Sequence, residues 1–218
     1  MMFSSPPPVA GLDVLFEDPF LLALNKPSGL LSVPGKGHEK KDSLAIRVQA
    51  RFPDALVAHR LDMATSGIMV MARNKEVHRA LSIQFETRQV AKTYIAVVDG
   101  LVNTTSGTID LPLICDWPNR PRQKVDYETG KASLTHYEVI EYDEINQTTR
   151  VKLKPETGRT HQLRVHMQSI GHAILGDRLY ASTTAQKKAD RLLLHASQLS
   201  FTHPITGEHL SLNSDIPF

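Results

Sequence analysis

The chain has 218 residues, 41% hydrophobic and 22% charged, so we expect ordinary globular folding as one large domain or two small lobes. The formal net charge of +2 does not by itself identify a nucleic-acid binder. Cys115 has no partner for an internal disulfide, and neither a signal-peptide pattern nor a bilayer-length apolar run occurs, which together predict a cytoplasmic protein.

Residues 1–11, which contain the run SSPPP, predict a flexible N-terminal arm. Beyond it, apolar runs of strand length alternate with turn signals such as 17–19 (EDP) and 203–207 (HPITG). In chain order, these runs predict strands near residues 14–16, 20–24, 56–61, 68–72, 92–98, 134–141, 150–154, 192–202 and 210–212.

Three helices are predicted between the strands. Either Asp42 or Ser43 can cap the first helix, Asn74 can cap the second, and Thr160 can cap a third that stops at Gly171. A strand-rich chain with few helices and no internal repeat predicts an α+β fold around a mainly antiparallel sheet.

Asp62 lies in the polar turn that follows the predicted strand 56–61. Its carboxylate can project from a rigid scaffold as a nucleophile, or it can cap the turn. Because Asx turns are common, the residue types alone favour the capping role.

Residues 59–67 (HRLDMATSG) resemble the signature of the RluA-type pseudouridine synthases, whose catalytic aspartate falls at Asp62. The resemblance continues, in the same order, through residues 25–30 (NKPSGL), 92–94 (KTY), 158–166 (GRTHQLRVH) and 176–180 (GDRLY). It therefore implies the fold of that family, a bent, mainly antiparallel mixed sheet in two halves with the catalytic cleft between them.

The resemblance also implies an activity that needs no cofactor. The family breaks the bond between uracil N1 and ribose C1′, rotates the base and rejoins it through C5, which makes the enzyme an isomerase. An ionised Asp62 can attack C6 of the base or C1′ of the sugar. It can also remove the C2′ proton on a route through a glycal, and the sequence leaves all three routes open.

Further roles are implied at the matched positions. Arg164 is expected to provide the charge opposite Asp62, where the alternative is an exposed helix arginine, and Leu163 is expected to form an apolar wall. Tyr94 is expected to stack on the target uracil, although a strand tyrosine is more often plain core.

Two residues beside Asp62 differ in their expected roles. Releasing a uridine from a folded loop costs a few kcal/mol, which a side chain inserted in its place partly offsets, and Arg60 suits that insertion. His59 is a candidate substrate contact, but we favour a structural histidine hydrogen-bonded to the turn.

Basic side chains at two places are candidates for RNA contact. The loop with Trp117, Arg120 and Arg122 combines an aromatic ring with arginines, which suits RNA. Five lysines can also track phosphate: Lys124 in the same loop, and Lys26, Lys36, Lys40 and Lys41 near the first turns. The Lys40–Lys41 pair is more typical of a solvated face.

The histidine spacings do not predict a metal site, because His161, His166 and His172 would not share one helix face. The glycine spacing gives no support to a nucleotide cofactor. We therefore expect neither a metal nor a cofactor, and no membrane association.

Residues 12–218 are predicted to form one catalytic domain without a separate N-terminal RNA-binding domain, and to act as a monomer. Within the family, residues 30–35 (LLSVPG) and 110–121 (DLPLICDWPNRP) most resemble the dual-specificity branch. That branch modifies a tRNA anticodon-loop uridine and a hairpin uridine of 23S rRNA. The alternatives are the same chemistry at another tRNA or rRNA site, a nucleoside hydrolase, a purely structural role, or a non-catalytic RNA-binding module.

Overall fold

The computed structural model describes residues 11–37 and 41–218, so residues 1–10 of the predicted arm lie outside the described residues. The described strands are β1 (Val14–Glu17), β2 (Leu21–Lys26), β3 (Leu56–Val57), β4 (Ser66–Ala72), β5 (Ala91–Asp99), β6 (Ser106–Asp110), β7 (Leu113–Cys115), β8 (Gln123–Val125), β9 (Leu134–Asp143), β10 (Thr148–Pro155), β11 (Leu194–Thr202) and β12 (His209–Asn213). The described helices are α1 (Leu44–Gln49), α2 (Lys75–Glu86), α3 (Gln162–Ser169) and α4 (Thr183–Lys187).

The chain forms two compact units. The first contains the described chain up to Ala91 together with Ala196–Pro217, and the second contains Lys92–His195 with Phe218. In both units the main strand pairings are antiparallel. The predicted α+β class with a mainly antiparallel sheet is therefore confirmed.

In the first unit the strands lie in the order β1-β2-β4-β11, with β3 paired to β4 and β12 paired to β11. Every residue of β4 is buried, as expected for a strand covered on both faces. Val77 and Leu81 of α2 join its core. The helix begins where predicted, because the Asn74 side chain accepts a hydrogen bond from Val77 N at 2.9 Å.

In the second unit the order is β5-β10-β9-β6, and β7 and β8 form a separate two-stranded sheet. Val151 and Leu153 of β10 are fully buried. A smaller apolar cluster joins Leu113 of β7, Val165 of α3 and Tyr180. The β7–β8 sheet is thereby packed against the helix that carries Leu163 and Arg164.

Three expectations about local structure were wrong or incomplete. The strand predicted over 56–61 ends at Val57, because Val70 N of the neighbouring strand β4 donates to the His59 ring and Leu61 N donates to Ser32 Oγ. The N-cap position of helix α3 is His161, in a left-handed conformation, and not Thr160. Ser43, not Asp42, caps α1.

Among the described residues, no helix combines the length and apolar character required to cross a lipid bilayer.

Candidate active site

The segment of residues 58–65, which connects β3 to β4, carries Asp62. Asp62 is half-buried, whereas Arg60 is exposed. The turn at residues 62–65 is closed by a main-chain hydrogen bond of 3.1 Å from Thr65 N to Asp62 O. Asp62 is thus on an irregular segment next to the buried strand β4, as the sequence predicted.

The Lys26 side chain donates hydrogen bonds to backbone carbonyls in and near this segment. The side chain is fully buried, and its ammonium donates to the carbonyl oxygens of Pro27 at 2.9 Å, Leu30 at 2.8 Å and Met63 at 3.2 Å. A buried ammonium is tolerated only when its donors are satisfied, and these carbonyls contribute to that. The predicted phosphate contact of Lys26 is therefore wrong.

Residues 28–32 hold the backbone on both sides of Asp62. The Ser28 hydroxyl donates to Ala64 O at 2.6 Å, and Gly29 N donates to Met63 O at 2.8 Å. Ser32 Oγ donates to Leu61 O at 2.6 Å and accepts from Leu61 N at 3.0 Å. Together with Lys26, these bonds fix the carbonyls of the residue before Asp62 and of the two residues after it.

His59 is engaged within the first unit. Its Nε2 accepts a hydrogen bond from Val70 N at 3.0 Å, which sets the tautomer with the proton on Nδ1, and its ring stacks on Phe85 at 4.4 Å between centroids. These contacts favour the structural role over direct substrate contact. The exposed Arg60 beside it keeps the freedom that an inserting side chain needs.

Tyr94 lies on β5 in the second unit, opposite Leu153 of β10. Tyr94 is half-buried, while the next residue, Ile95, is only 5% exposed. The strand therefore buries Ile95 more fully than Tyr94. The accessible part of Tyr94 is compatible with base stacking.

Arg164 and Leu163 are both buried on α3, with 5% and 7% exposure. The alternative interpretation of Arg164 as an exposed helix arginine is therefore wrong. Its guanidinium forms a bidentate ion pair with Asp177, through Nε to Oδ2 and Nη2 to Oδ1, both at 2.7 Å. Two parallel bonds of this kind fix the plane of the guanidinium as well as its position.

The start of α3 is fixed by a buried polar network around Gln162. The Gln162 Oε1 accepts from the Thr157 hydroxyl at 2.6 Å and from Arg159 N at 3.0 Å. Its Nε2 donates to Leu134 O and to the Thr135 hydroxyl, each at 3.0 Å. The helix that presents Leu163 and Arg164 is thereby joined to β9.

The hairpin formed by β7, residues 116–122 and β8, hereafter the Trp117 hairpin, carries the predicted RNA-contact residues. Trp117 is 67% exposed, and the Arg120 guanidinium lies 3.9 Å from the centre of its ring. Arg122 is exposed and lies 5.4 Å from the centre of the Tyr180 ring. Lys124 lies 3.6 Å from Asp126, which offsets its charge. An exposed ring paired with arginines suits unstacked bases and phosphates.

Several supporting residues were missed by the sequence reasoning. Lys26 was assigned a different role, Ser28 and Ser32 were not singled out, and Asp177 and Tyr180 were noted only as part of a matched motif. The available signal was that all five lie inside or directly beside the segments that resemble the family.

Throughout the part of the chain that the structure describes, no group of three or more histidine, cysteine, aspartate or glutamate side chains is arranged to hold a metal ion.

Three further lysines near the first turns were also candidates for phosphate contact. Lys36 is exposed, Lys41 is exposed, and Lys40 lies outside the described residues.

Comparison with known proteins agrees with this geometry. A family model described as RNA pseudouridylate synthase matches residues 21–169. Among solved structures, human RNA Pseudouridylate Synthase Domain Containing 1 matches with a TM-score of 0.84 at 28% identity, covering 99% of this chain and 87% of that one. The chain belongs to the RNA pseudouridylate synthase family, and the resemblance found in the sequence is confirmed.

The names of its curated relatives are more specific than the description of the family model. The chain is 53% identical over 214 residues to Dual-specificity RNA pseudouridine synthase RluA of Escherichia coli (strain K12), covering 98% of this chain and 97% of that one. It is 55% identical over 205 residues to the protein of the same name from Yersinia pestis, covering 94% of this chain and 99% of that one.

Proposed function

We propose that this protein converts uridine to pseudouridine in RNA, with Asp62 as the nucleophile. The observation that carries the assignment of Asp62 is the set of bonds from residues 26–32 to the carbonyls of Leu61, Met63 and Ala64. A nucleophile that must attack one atom of a bound base needs a backbone held in one geometry. Those bonds hold this segment from both sides.

The roles of the other candidate residues follow from their surroundings. Tyr94 stacks on the target base through its accessible part, and Leu163 contributes apolar surface. Arg164 offers guanidinium donors whose direction is set by Asp177. Arg60 inserts where the uridine leaves the RNA loop, and the Trp117 hairpin binds unstacked bases and phosphate.

The substrates that we propose are a uridine in a tRNA anticodon stem-loop and a hairpin uridine in 23S rRNA. Two observations support this pair: relatives at 53–55% identity are named dual-specificity enzymes, and the Trp117 hairpin exposes an aromatic and basic surface. Sequence-specific recognition of RNA mainly targets single-stranded loops, whose bases are unstacked and can contact such a surface. We further propose that residues 12–218 act as one catalytic domain, as a monomer in the cytoplasm and without a cofactor.

The test uses unmodified transcripts of tRNA and 23S rRNA, incubated with the protein and mapped for pseudouridine. Wild-type protein should form pseudouridine in both RNAs. The Asp62→Asn variant should lose more than about a thousandfold in rate, because an amide is a poor nucleophile of the same size. Asp54→Asn, which removes an exposed carboxylate paired with Arg73, should stay near wild type.

The outcomes separate the alternatives. Pseudouridine in other positions would move the substrate proposal to another tRNA or rRNA site. Full activity of Asp62→Asn would refute the role of Asp62. Release of free uracil would indicate a hydrolase, and RNA binding without any chemistry would indicate a binding module.

A further inference from the structure

The segment of residues 176–180 connects two features of the second unit that the proposed function treats separately, Arg164 and the Trp117 hairpin. Its backbone is tightly held. Gly176 has a φ of 71°, and a side chain there would collide with Arg191 O. A left-handed conformation against a neighbouring backbone requires glycine, so the position of the following residue, Asp177, is fixed.

Asp177 is 1% exposed and accepts four hydrogen bonds. Two come from the Arg164 guanidinium at 2.7 Å, and Oδ1 also accepts from Leu179 N at 2.9 Å and Tyr180 N at 3.2 Å. The backbone donors hold the carboxylate still, and the carboxylate in turn holds one edge of the guanidinium. The ion pair with Asp177 offsets the charge of Arg164, and its bidentate geometry fixes the direction of the guanidinium donors.

Tyr180 makes the second connection. Its hydroxyl accepts a hydrogen bond from Gln123 N, the first residue of β8, at 2.7 Å, and lies 2.7 Å from His161 Nδ1 at the start of α3. Its ring lies 5.1 Å from the Arg164 guanidinium and 5.4 Å from that of Arg122. One buried ring therefore touches the helix of Arg164 and one strand of the hairpin.

We propose that Asp177 and Tyr180 are positioning residues for the pseudouridine reaction. Asp177 sets the direction of the Arg164 guanidinium, and Tyr180 fixes the Trp117 hairpin against the helix that carries Arg164. This inference rests on the proposed function. Beyond that function, it assigns an effect on the reaction rate to Asp177 and an effect on RNA affinity to Tyr180, neither of which is proposed to touch RNA.

The test measures single-turnover pseudouridine formation and RNA affinity on the same transcript. Asp177→Asn keeps the size of the side chain but removes the charge and one acceptor oxygen. We expect the rate constant at saturating RNA to fall about 10- to 100-fold, since a misplaced group costs of that order. The dissociation constant for RNA should change less than about threefold, because the hairpin is untouched.

Tyr180→Phe should give the opposite pattern. It removes only the hydroxyl, so Gln123 N loses its acceptor, His161 Nδ1 loses its contact, and the hairpin is held less firmly against α3. RNA affinity should fall about three- to tenfold, the effect of one hydrogen bond, with a rate constant at saturation within about threefold of wild type.

Matched controls remove the same groups elsewhere in the second unit. Asp143→Asn alters another turn aspartate, which accepts from Asn146 N at 2.9 Å, and Tyr142→Phe removes another tyrosine hydroxyl, which donates to Val102 O at 2.9 Å. Both should leave rate and affinity unchanged.

Loss of folding does not obscure the result, because the rate constant reports folded molecules and the amplitude reports the active fraction. A double-mutant cycle adds a second criterion. If Asp177 acts through Arg164, then Arg164→Gln with Asp177→Asn should react no more slowly than Arg164→Gln alone, within about twofold.

An active wild type with an unchanged rate constant for Asp177→Asn, or with both variants losing rate and affinity alike, would overturn the inference alone. An inactive wild type would refute the proposed function and the inference with it.

Discussion

At the scale of single residues, the imidazole of His166 links stability to pH. The side chain is fully buried on α3, its Nε2 donates to Leu111 O at 3.1 Å, and its Nδ1 accepts from the Thr135 hydroxyl at 3.0 Å. Burial disfavours the charged ring and lowers the pKa of His166 below its ordinary value of 6.5. A proton on Nδ1 would also remove the acceptor for Thr135.

The sign of the pH dependence follows from this lowered pKa. As pH falls below about 6.5, the unfolded chain takes up a proton at His166 that the folded chain does not, so the free energy of unfolding decreases. The contribution is fully present above that pH and is lost by at most about 1.4 kcal/mol per pH unit below it, until the folded chain also binds the proton. Denaturant titrations measure the free energy of unfolding between pH 7.5 and 5. Over that range it should decrease less in His166→Gln than in the wild type.

The control is His209→Gln, at an exposed position on β12. It should retain the pH dependence of the wild type. An unchanged slope in His166→Gln would show that this imidazole is protonated equally in both states.

A second residue-scale prediction concerns Gly67, which follows the Asp62 segment. Its φ is 116°, and a Cβ there would collide with the backbone of Ala196. Gly67→Ala should lower the free energy of unfolding by about 3 kcal/mol or more, combining backbone strain with displacement of a neighbouring strand.

Gly171→Ala isolates the strain component, because Gly171 has a φ of 89° but open space around the Cβ position. It should cost only about 1 kcal/mol in the same denaturant titration. Equal costs at the two glycines would show that the β11 backbone yields to the new methyl group.

At the scale of secondary-structure elements, the sequence predicted those whose signals are local. Asn74 and the helical spacing of Val77 and Leu81 define α2 completely, so its start was predicted correctly. By contrast, α3 begins at a left-handed His161, and its first turn depends on bonds from Gln162 to residues about 27 positions earlier. Contacts at that separation leave no local pattern.

The strands that were not predicted also depend on pairing with other segments of the chain. β6 alternates exposed and half-exposed residues, with Ile109 as its one buried apolar side chain, and it forms because β9 offers a partner. β7 and β8 have three residues each and form around the turn that carries Trp117. Short strands of this kind are defined by their pairing and not by hydrophobic alternation.

The Trp117 hairpin offers an exposed aromatic ring on which an RNA base can stack. Trp117→Ala should weaken RNA binding about tenfold, since stacking on an aromatic ring contributes about 1–3 kcal/mol per base. The melting temperature should stay the same, because the side chain is 67% exposed. Trp117→Phe keeps a smaller stacking surface, so its RNA affinity should lie between those of Trp117→Ala and the wild type.

Ile145→Ala, which truncates a 95% exposed apolar side chain between β9 and β10, is the matched surface control and should bind RNA like wild type. Equal affinities for Trp117→Ala and wild type in a binding titration would place the RNA elsewhere on the protein.

At the scale of the whole molecule, matched motifs identified residues in both units but not their immediate partners. The sequence predicted Asp62 and Arg164 from their motifs, yet it assigned Lys26 to phosphate contact and gave Asp177 no role. The reason is physical: whether a charged side chain faces solvent or satisfies buried carbonyls depends on the fold around it, which one chain segment does not reveal.

The net charge of the whole chain limits its long-range attraction to RNA. With a formal charge of only +2 on 218 residues, long-range attraction to RNA is weak, so salt dependence should reflect a few local phosphate contacts. The proposed phosphate contacts come from the exposed arginines of the Trp117 hairpin, Arg120 and Arg122. About two contacts to a single-stranded loop predict a slope of log affinity against log salt of about −1.4.

Arg120→Gln should reduce the magnitude of that slope by about 0.7, the value of one phosphate contact. Lys152→Gln removes the same charge at an ammonium that pairs with Glu138 at 3.1 Å, and it should leave the slope unchanged. Binding titrations from 50 to about 300 mM salt measure both. If both variants changed the slope equally, attraction would come from total charge and not from the hairpin, and the proposed RNA contact of Arg120 would be wrong.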